Sequence, residues 1–338
     1  MAAATTTQSF DIPKQYKAIV YDKPGTISTK IEQLNTPEPG PGDVLVRLTH
    51  SGVCHSDMGI CENSWRGLPY PTQAGQVGGH EGVGVVHKLG PGSENGRVKV
   101  GDRVGIKWIA YACGSCLPCL EGKDGVCFNQ KISGYYYPGT FQQYALAPAN
   151  YVTPIPDALD SKDAAPLLCA GVTTYSALRK SDAKSGQWVV IAGAGGGLGH
   201  LACQIGSRGM AMRIIGIDHG SKEELVKECG AEVFIDLTKF DDKAIAEEVK
   251  RVTGGIGASA VIVCTASNRA YSQALIAQEW NIKGSAVGNQ REALEVLEMA
   301  ARGIIKTRIR MEKMENLTEV FKEMSEGKMQ GRVVLDLS

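Results

Sequence analysis

The chain has 338 residues, more than one ordinary hydrophobic core accommodates, so two domains are expected. Its 36 Lys plus Arg balance 36 Asp plus Glu, which leaves no net field to draw in nucleic acid or an anionic membrane and favours a small neutral ligand. No apolar run approaches the roughly 20 residues of a membrane helix. The N-terminal MAAATTTQSFDIPKQ lacks both the apolar core of a secretion signal and the arginines of a mitochondrial one. Residues 1–15 are therefore expected to be a flexible tail on a cytoplasmic protein, where ten cysteines point to metal or reactivity before disulfides.

From Tyr16 to Tyr21 and from Val44 to Leu48 the residues alternate or run apolar, separated by turns such as Pro39-Gly40-Pro41-Gly42. These are short strands, and GGHEGVGVV and GDRVGI extend the pattern with bends at their glycines. Within this β-rich region Cys113, Cys116, Cys119 and Cys127 follow the order C-x2-C-x2-C-x7-C. Four thiolates so spaced can fold a loop around one tetrahedral Zn²⁺, a closed and therefore structural site. A ferredoxin-type cluster shares the first two gaps, but its last cysteine comes three residues on and precedes Pro, whereas Cys127 precedes Phe128. Cys54 in CHSD, His80 in GGHEG and Cys169 in LLCAG are scattered. Taken singly they read as small core thiols and a satisfied polar group; taken together they form a Cys2His ligand set with one open position.

The stretch Trp188 to Asp218 reads strand, glycine turn, helix, strand, acid. Val189 to Ile191 end in Gly193, Gly195, Gly196, Gly197 and Gly199, with Leu198, Leu201, Ala202 and Ile205 at helical spacing and Ile214 to Ile217 leading into Asp218. Glycines let a pyrophosphate approach the backbone, and a carboxylate about 20 residues later binds the ribose hydroxyls of NAD while repelling the extra phosphate of NADP. The string GAGGGLG departs from GxGxxG by placing Ala194 where the first glycine falls. A helix from Ser221 to Gly230, another over Ala244 to Val252 and a buried strand over Ala260 to Cys264 continue the alternation that defines a parallel sheet. Cys203, Cys229 and Cys264 read as core thiols, and Cys61 has no evident partner.

The motifs SGVCHSD, GGHEGVG, CGSCLPCLEGKDGVC, FQQYA, LLCAGVTTYSAL, GAGGGLG and GID together resemble the zinc-dependent alcohol dehydrogenases of the medium-chain dehydrogenase/reductase family, closest to the fungal ethanol-oxidising type. The resemblance implies an α/β protein with a GroES-like β-rich catalytic domain, residues 16–165 with 289–338, and a Rossmann doubly wound parallel sheet over 166–288. It implies NAD and two Zn²⁺ per chain, with Cys54, His80 and Cys169 on the catalytic zinc and the four clustered cysteines on the structural one. Asp57 matches the acid that buttresses the histidine ligand, Glu81 the glutamate beside the metal, Ser56 the hydroxyl that takes the alcohol proton, and His55 the residue that meets the cofactor pyrophosphate. Trp65 and Trp108 match bulky residues that narrow the pocket to small primary alcohols, against the plainer reading of core aromatics. Gly193, Gly195, Gly196, Gly197, Leu198, Gly199 and Asp218 match the dinucleotide loop; Lys222 matches a residue near the adenosine ribose, or is a solvated lysine at a helix start. Gly59 stands where many members carry the histidine that passes the proton to solvent, so the relay must end differently. The implied partners are an alcohol or aldehyde and further copies of the chain, a tetramer in the family, with no nucleic acid or membrane. Alternatives are a zinc dehydrogenase of larger polyols or aromatic alcohols, and a catalytically silent dinucleotide-binding protein.

Between Leu275 and Asn281 the family carries a helix end, a strand reaching the nicotinamide and a loop, and here only IAQEW stands in their place. The expectation is that the protein carries roughly two dozen residues more than the written sequence; the rival is a genuine deletion that leaves an open sheet, weak nicotinamide binding and little or no activity. NIKGSAVG and the helix Arg291 to Arg302 resemble the family's return to the catalytic domain, which ends in a strand over Gly331 to Leu337.

Overall fold

A computed structural model describes residues 10–65, 67–276 and 283–338. The chain divides into two units: Met1–Cys169 with Ile309–Lys328 and Arg332–Ser338, and Ala170–Arg308 with Met329–Gly331.

The first unit is built on the strand Asp43–Val53, whose alternating Val44, Val46 and Leu48 are buried. It pairs antiparallel with Gly82–Leu89, with Tyr144–Pro148 and with the C-terminal strand Arg332–Asp336. Arg103–Ile106 extends the sheet beyond Gly82–Leu89, and Ile309–Lys313 lies parallel to Arg332–Asp336. Ile19, Leu45, Leu48, Phe141 and Phe321 fill the interior, each worth about 1.5–3 kcal/mol of burial. The β-rich reading of this region is thus met. The tail is shorter than expected: Phe10 stacks on His87 with ring centroids 3.9 Å apart, and Gln15 already belongs to the strand Gln15–Tyr21. Residues 1–9 lie outside the described residues.

The second unit holds a parallel sheet in the order Val233–Asp236, Arg213–Asp218, Trp188–Ala192, Ala260–Val263. Its apolar runs are buried on both faces, as parallel strands under helices must be, and Val190, Ile215, Ile217 and Ile235 pack with Ile245 and Val249 of the helix Asp242–Val252. Expected helices and strands at 198–205, 221–230, 244–252 and 260–264 all fall within a few residues of the observed ones.

Two expectations are corrected here. The return to the first unit comes at Ile309, not at residue 289, because the helix Gln290–Ala301 packs on the helix Ala170–Lys180. Tyr175 donates to Glu295 Oε2 at 2.9 Å and Arg179 Nη1 pairs with the same oxygen at 3.1 Å. The second correction concerns the short segment. Residues 277–282 lie outside the described residues, but the full 338-residue sequence is continuous there, so the additional residues expected are not part of this chain. Among the described residues the sheet has four parallel strands where two complete mononucleotide-binding halves have about six, and residues 283–288 form no strand.

Candidate active site

Strand register assembles the first site. Ser51 lies opposite Gly82 and Val53 opposite Val333, so the residues at these strand ends, Cys54, His80-Glu81 and Arg332, converge. Cys54 caps the helix His55–Cys61, and Asp57, in its first turn, reaches back so that Cys54 N–H donates to Oδ2 at 2.9 Å. The other carboxylate oxygen accepts from His80 Nδ1 at 2.7 Å. That bond fixes the ring and leaves Nε2, fully buried, with no hydrogen-bond partner.

Ligand atoms of Cys54, His80, Glu81 and Cys169 all lie within 4.8 Å of one another. An orphaned imidazole nitrogen facing two buried thiols fits a metal ion, and a soft sulfur and imidazole set fits zinc. Electrostatics agree with this reading. The Cys54 thiol is held well below its ordinary pKa by a bond from Cys169, while Cys169, sharing that proton, is pushed well up. Burial opposes a charged His80, yet Asp57 holds it well above the ordinary imidazole value, and a metal ion held by this ring would take the place of that proton.

Glu81 sits beside this set but bonds elsewhere. Burial raises it to about 7 against the pull of Arg332, whose guanidinium donates to its Oε1. A Cβ on Gly52 would come within 1.9 Å of Glu81 Oε2, so glycine at 52 is what admits the glutamate. Arg332 was not singled out by sequence reasoning; the one signal is a charged residue opening the otherwise apolar run RVVL.

Ser56 Oγ is 3.7 Å from Cys54 Sγ, and His55 is exposed at the helix start. Trp65 and Trp108 do meet, at 5.4 Å between centroids, and Trp108 sets its ring edge-to-face with His80 at 4.7 Å. Gly59 Cα faces Trp65: a Cβ there would be in ordinary contact with Trp65 Cε3 and Ser64 Oγ, each at 3.5 Å.

The four clustered cysteines are likewise brought together. Cys127 Sγ lies 3.5 Å from Cys113 Sγ and 3.7 Å from Cys116 Sγ, and Cys116 Sγ lies 3.6 Å from Cys119 Sγ. Sulfurs at the corners of a tetrahedron with bonds of about 2.3 Å are about 3.8 Å apart, whereas a disulfide is about 2.05 Å. Backbone N–H groups of Cys113, Cys116 and Asn129 point at these sulfurs, and Cys113 is pushed down to about 5, first by the Ser115 backbone.

In the second unit Gly193 turns the chain with φ +80°, and a Cβ on Gly199 would come within 2.0 Å of Gly193 O. Gly193 thus makes the turn, which is why Ala194 is tolerated next to it, and Gly199 permits close strand-to-helix approach. Asp218 is buried, accepting from Gly195 N–H at 2.8 Å and His219 N–H at 2.7 Å. Lys222 Nζ lies 3.3 Å from Asp218 Oδ1, so this lysine belongs to the acid rather than to solvent alone. Cys203 and Cys229 are buried in this unit, and Cys61, in the first, donates to Thr26 O at 3.4 Å.

Residues 40–157 match the alcohol dehydrogenase GroES-like domain and residues 197–312 the zinc-binding dehydrogenase domain. Alcohol dehydrogenase 2 of Emericella nidulans is 60% identical, covering 97% of this chain and 99% of that protein. Alcohol dehydrogenase of Schizosaccharomyces pombe is 40% identical over 96% and 98%. Acetophenone reductase of Geotrichum candidum, solved in complex with NAD, superimposes with TM-score 0.76 at 28% identity over 97% and 98%. The chain therefore belongs to the zinc-binding alcohol dehydrogenase family, with the GroES-like and Rossmann architecture expected from its sequence. It is an NAD-linked, zinc-dependent oxidoreductase of alcohols. The Emericella alignment runs over 363 positions against 338 residues here, so about two dozen or more positions of that relative have no counterpart in this chain.

Proposed function

We propose that the substrates are small primary alcohols of the ethanol type and their aldehydes. The observation that carries the reading is His80 Nε2, unpartnered beside the Cys54 and Cys169 thiols under the edge of Trp108. We assign the catalytic zinc to Cys54, His80 and Cys169 and the structural zinc to Cys113, Cys116, Cys119 and Cys127. A zinc ion in the first set supplies Lewis acidity that brings alcohol deprotonation toward neutral pH. NAD supplies the hydride acceptor.

The chain's own residues do the rest. Asp57 holds His80 in one tautomer and raises its basicity as a ligand. Ser56 Oγ takes the alcohol proton and hands its own onward, a route that cannot use residue 59 because glycine carries no titratable group. Trp65 and Trp108 limit the space beside His80. His55 is assigned to the cofactor pyrophosphate, the glycine loop Gly193 to Gly199 to the same group, and Asp218 with Lys222 to the adenosine ribose. A cytoplasmic homotetramer belongs to the proposal on family resemblance.

The test is NAD-linked oxidation of ethanol, propanol and benzyl alcohol by the zinc-loaded protein. A fall in kcat/KM from ethanol to benzyl alcohol supports the small-alcohol reading. A preference for benzyl alcohol, in keeping with the aromatic ketone in the name of the Geotrichum relative, replaces it with an aromatic-alcohol dehydrogenase.

A further inference from the structure

We infer that Asp236 is a second determinant of dinucleotide choice, working with Asp218 to exclude a ribose 2′-phosphate and to hold the turn that carries Lys222; this rests on the dinucleotide reading above. Asp218 and Asp236 end adjacent parallel strands and are register partners, so their side chains leave the same face of the sheet about 4.8 Å apart at the backbone. Between them runs the turn His219-Gly220-Ser221-Lys222. Asp236 Oδ1 accepts from Gly220 N–H at 3.1 Å, Thr238 N–H at 3.0 Å and Thr238 Oγ1 at 2.7 Å. Its Oδ2 lies against Gly220, where a Cβ would come within 2.3 Å, and meets Lys239 Nζ at 3.7 Å.

Two consequences follow. The turn is pinned from below by Asp236 while Lys222, at its end, reaches up to Asp218 and lays its stem over Gly195. A carboxylate also sits under the backbone that a 2′-phosphate on a ribose bound to Asp218 would have to approach. The Thr238 hydroxyl and backbone hold Asp236 below the usual carboxylate range, so the charge is present at neutral pH. Asp218→Gly alone therefore leaves the Asp236 charge on the neighbouring strand end, whose backbone lies well within the Debye length of about 8 Å at 0.15 M salt from position 218.

The probes are ADP-ribose and 2′-phospho-ADP-ribose, measured by titration calorimetry on the zinc-loaded full chain, in wild type and in the Asp218→Gly background. Asp236→Asn keeps an acceptor for Gly220 and Thr238 but removes the charge. It is expected to leave ADP-ribose affinity within about threefold while strengthening 2′-phospho-ADP-ribose about 5- to 10-fold in the Asp218→Gly background, the scale of one charge in a half-screened site. Asp236→Ala, which loses the acceptor, is expected to weaken ADP-ribose several-fold. Asp236→Ser, a second uncharged acceptor, is read as the asparagine is. An asparagine or serine variant that leaves 2′-phospho-ADP-ribose unchanged, or weakens both probes equally, overturns the role of Asp236. A wild type that binds no ADP-ribose overturns the dinucleotide reading itself and this inference with it.

Discussion

At the level of single residues, Asp57 carries the most testable role. It ties Cys54 N–H to His80 Nδ1 through its two oxygens, so one carboxylate positions two of the residues proposed to hold the catalytic zinc. Asp57→Asn is expected to lower zinc affinity and activity by about 10- to 100-fold, the usual effect of removing a partner behind a ligand. Metal retention after dialysis against a graded chelator series measures it, and wild-type retention contradicts the bracing role. Asp218→Gly is expected to cost about 1–3 kcal/mol of NAD affinity by leaving ribose hydroxyls unpaired, and to narrow the preference over NADP. Unchanged selectivity would place the discriminating acid elsewhere.

At the level of elements, the two metal sites differ in kind. The loop Cys113 to Cys127 brings four thiols together, a closed set, whereas at His80 the proposed ligands are only Cys54, His80 and Cys169, a set that would leave one position open. A chelator is expected to remove one zinc per chain readily, with loss of activity, and the second far more slowly. Loss of both at one rate, or a single zinc in the intact protein, contradicts the assignment. Behind the loop, Lys107 is buried with Nζ donating to Tyr151 O at 2.8 Å and lying 3.7 Å from the ring centroid of Tyr151. Burial pushes it down to about 7 although Asp124 draws it back up. Between about pH 7 and the unfolded value near 10.4 the unfolded chain holds a proton the folded chain has released, so this group makes stability rise with pH. Lys107→Met is expected to shrink the gain in Tm between pH 7 and pH 9, and an identical pH response in both proteins contradicts the depressed lysine.

What the sequence disclosed follows from how locally each feature is encoded. The four-cysteine loop is legible from spacing alone because its ligands lie within 15 residues of one another. Cys54 and His80 come together only through strand register, Cys169 joins them from the end of the turn Ala165–Leu168, and resemblance supplied what periodicity could not. Arg332 escaped notice because its partner Glu81 is 251 positions away and nothing in RVVLD marks a pairing. The helix Gln290–Ala301 was legible as a helix, but the apolar face of Ala293, Val296 and Leu297 does not say which unit it packs on, and the boundary was misplaced by about 20 residues.

For the whole molecule, the four parallel strands found among the described residues of the second unit, against about six in two complete mononucleotide-binding halves, are the feature that sets this chain apart. Asp218 and Lys222, proposed for the adenosine ribose, are paired at 3.3 Å, while the segment that the family resemblance assigns to the nicotinamide has only IAQEW in its place. NAD and ADP-ribose are therefore expected to bind with affinities within about threefold, since the nicotinamide adds few contacts. A tenfold or larger advantage for NAD would show that the remaining residues support that ring fully. The central claim, that zinc at Cys54, His80 and Cys169 drives NAD-linked alcohol oxidation, is tested most directly by titrating zinc back into chelator-treated protein while following NADH formation from ethanol. Activity that returns in proportion to one zinc per chain, and fails to return in His80→Ala, is the predicted result; protein restored to two zincs per chain that forms no NADH contradicts it.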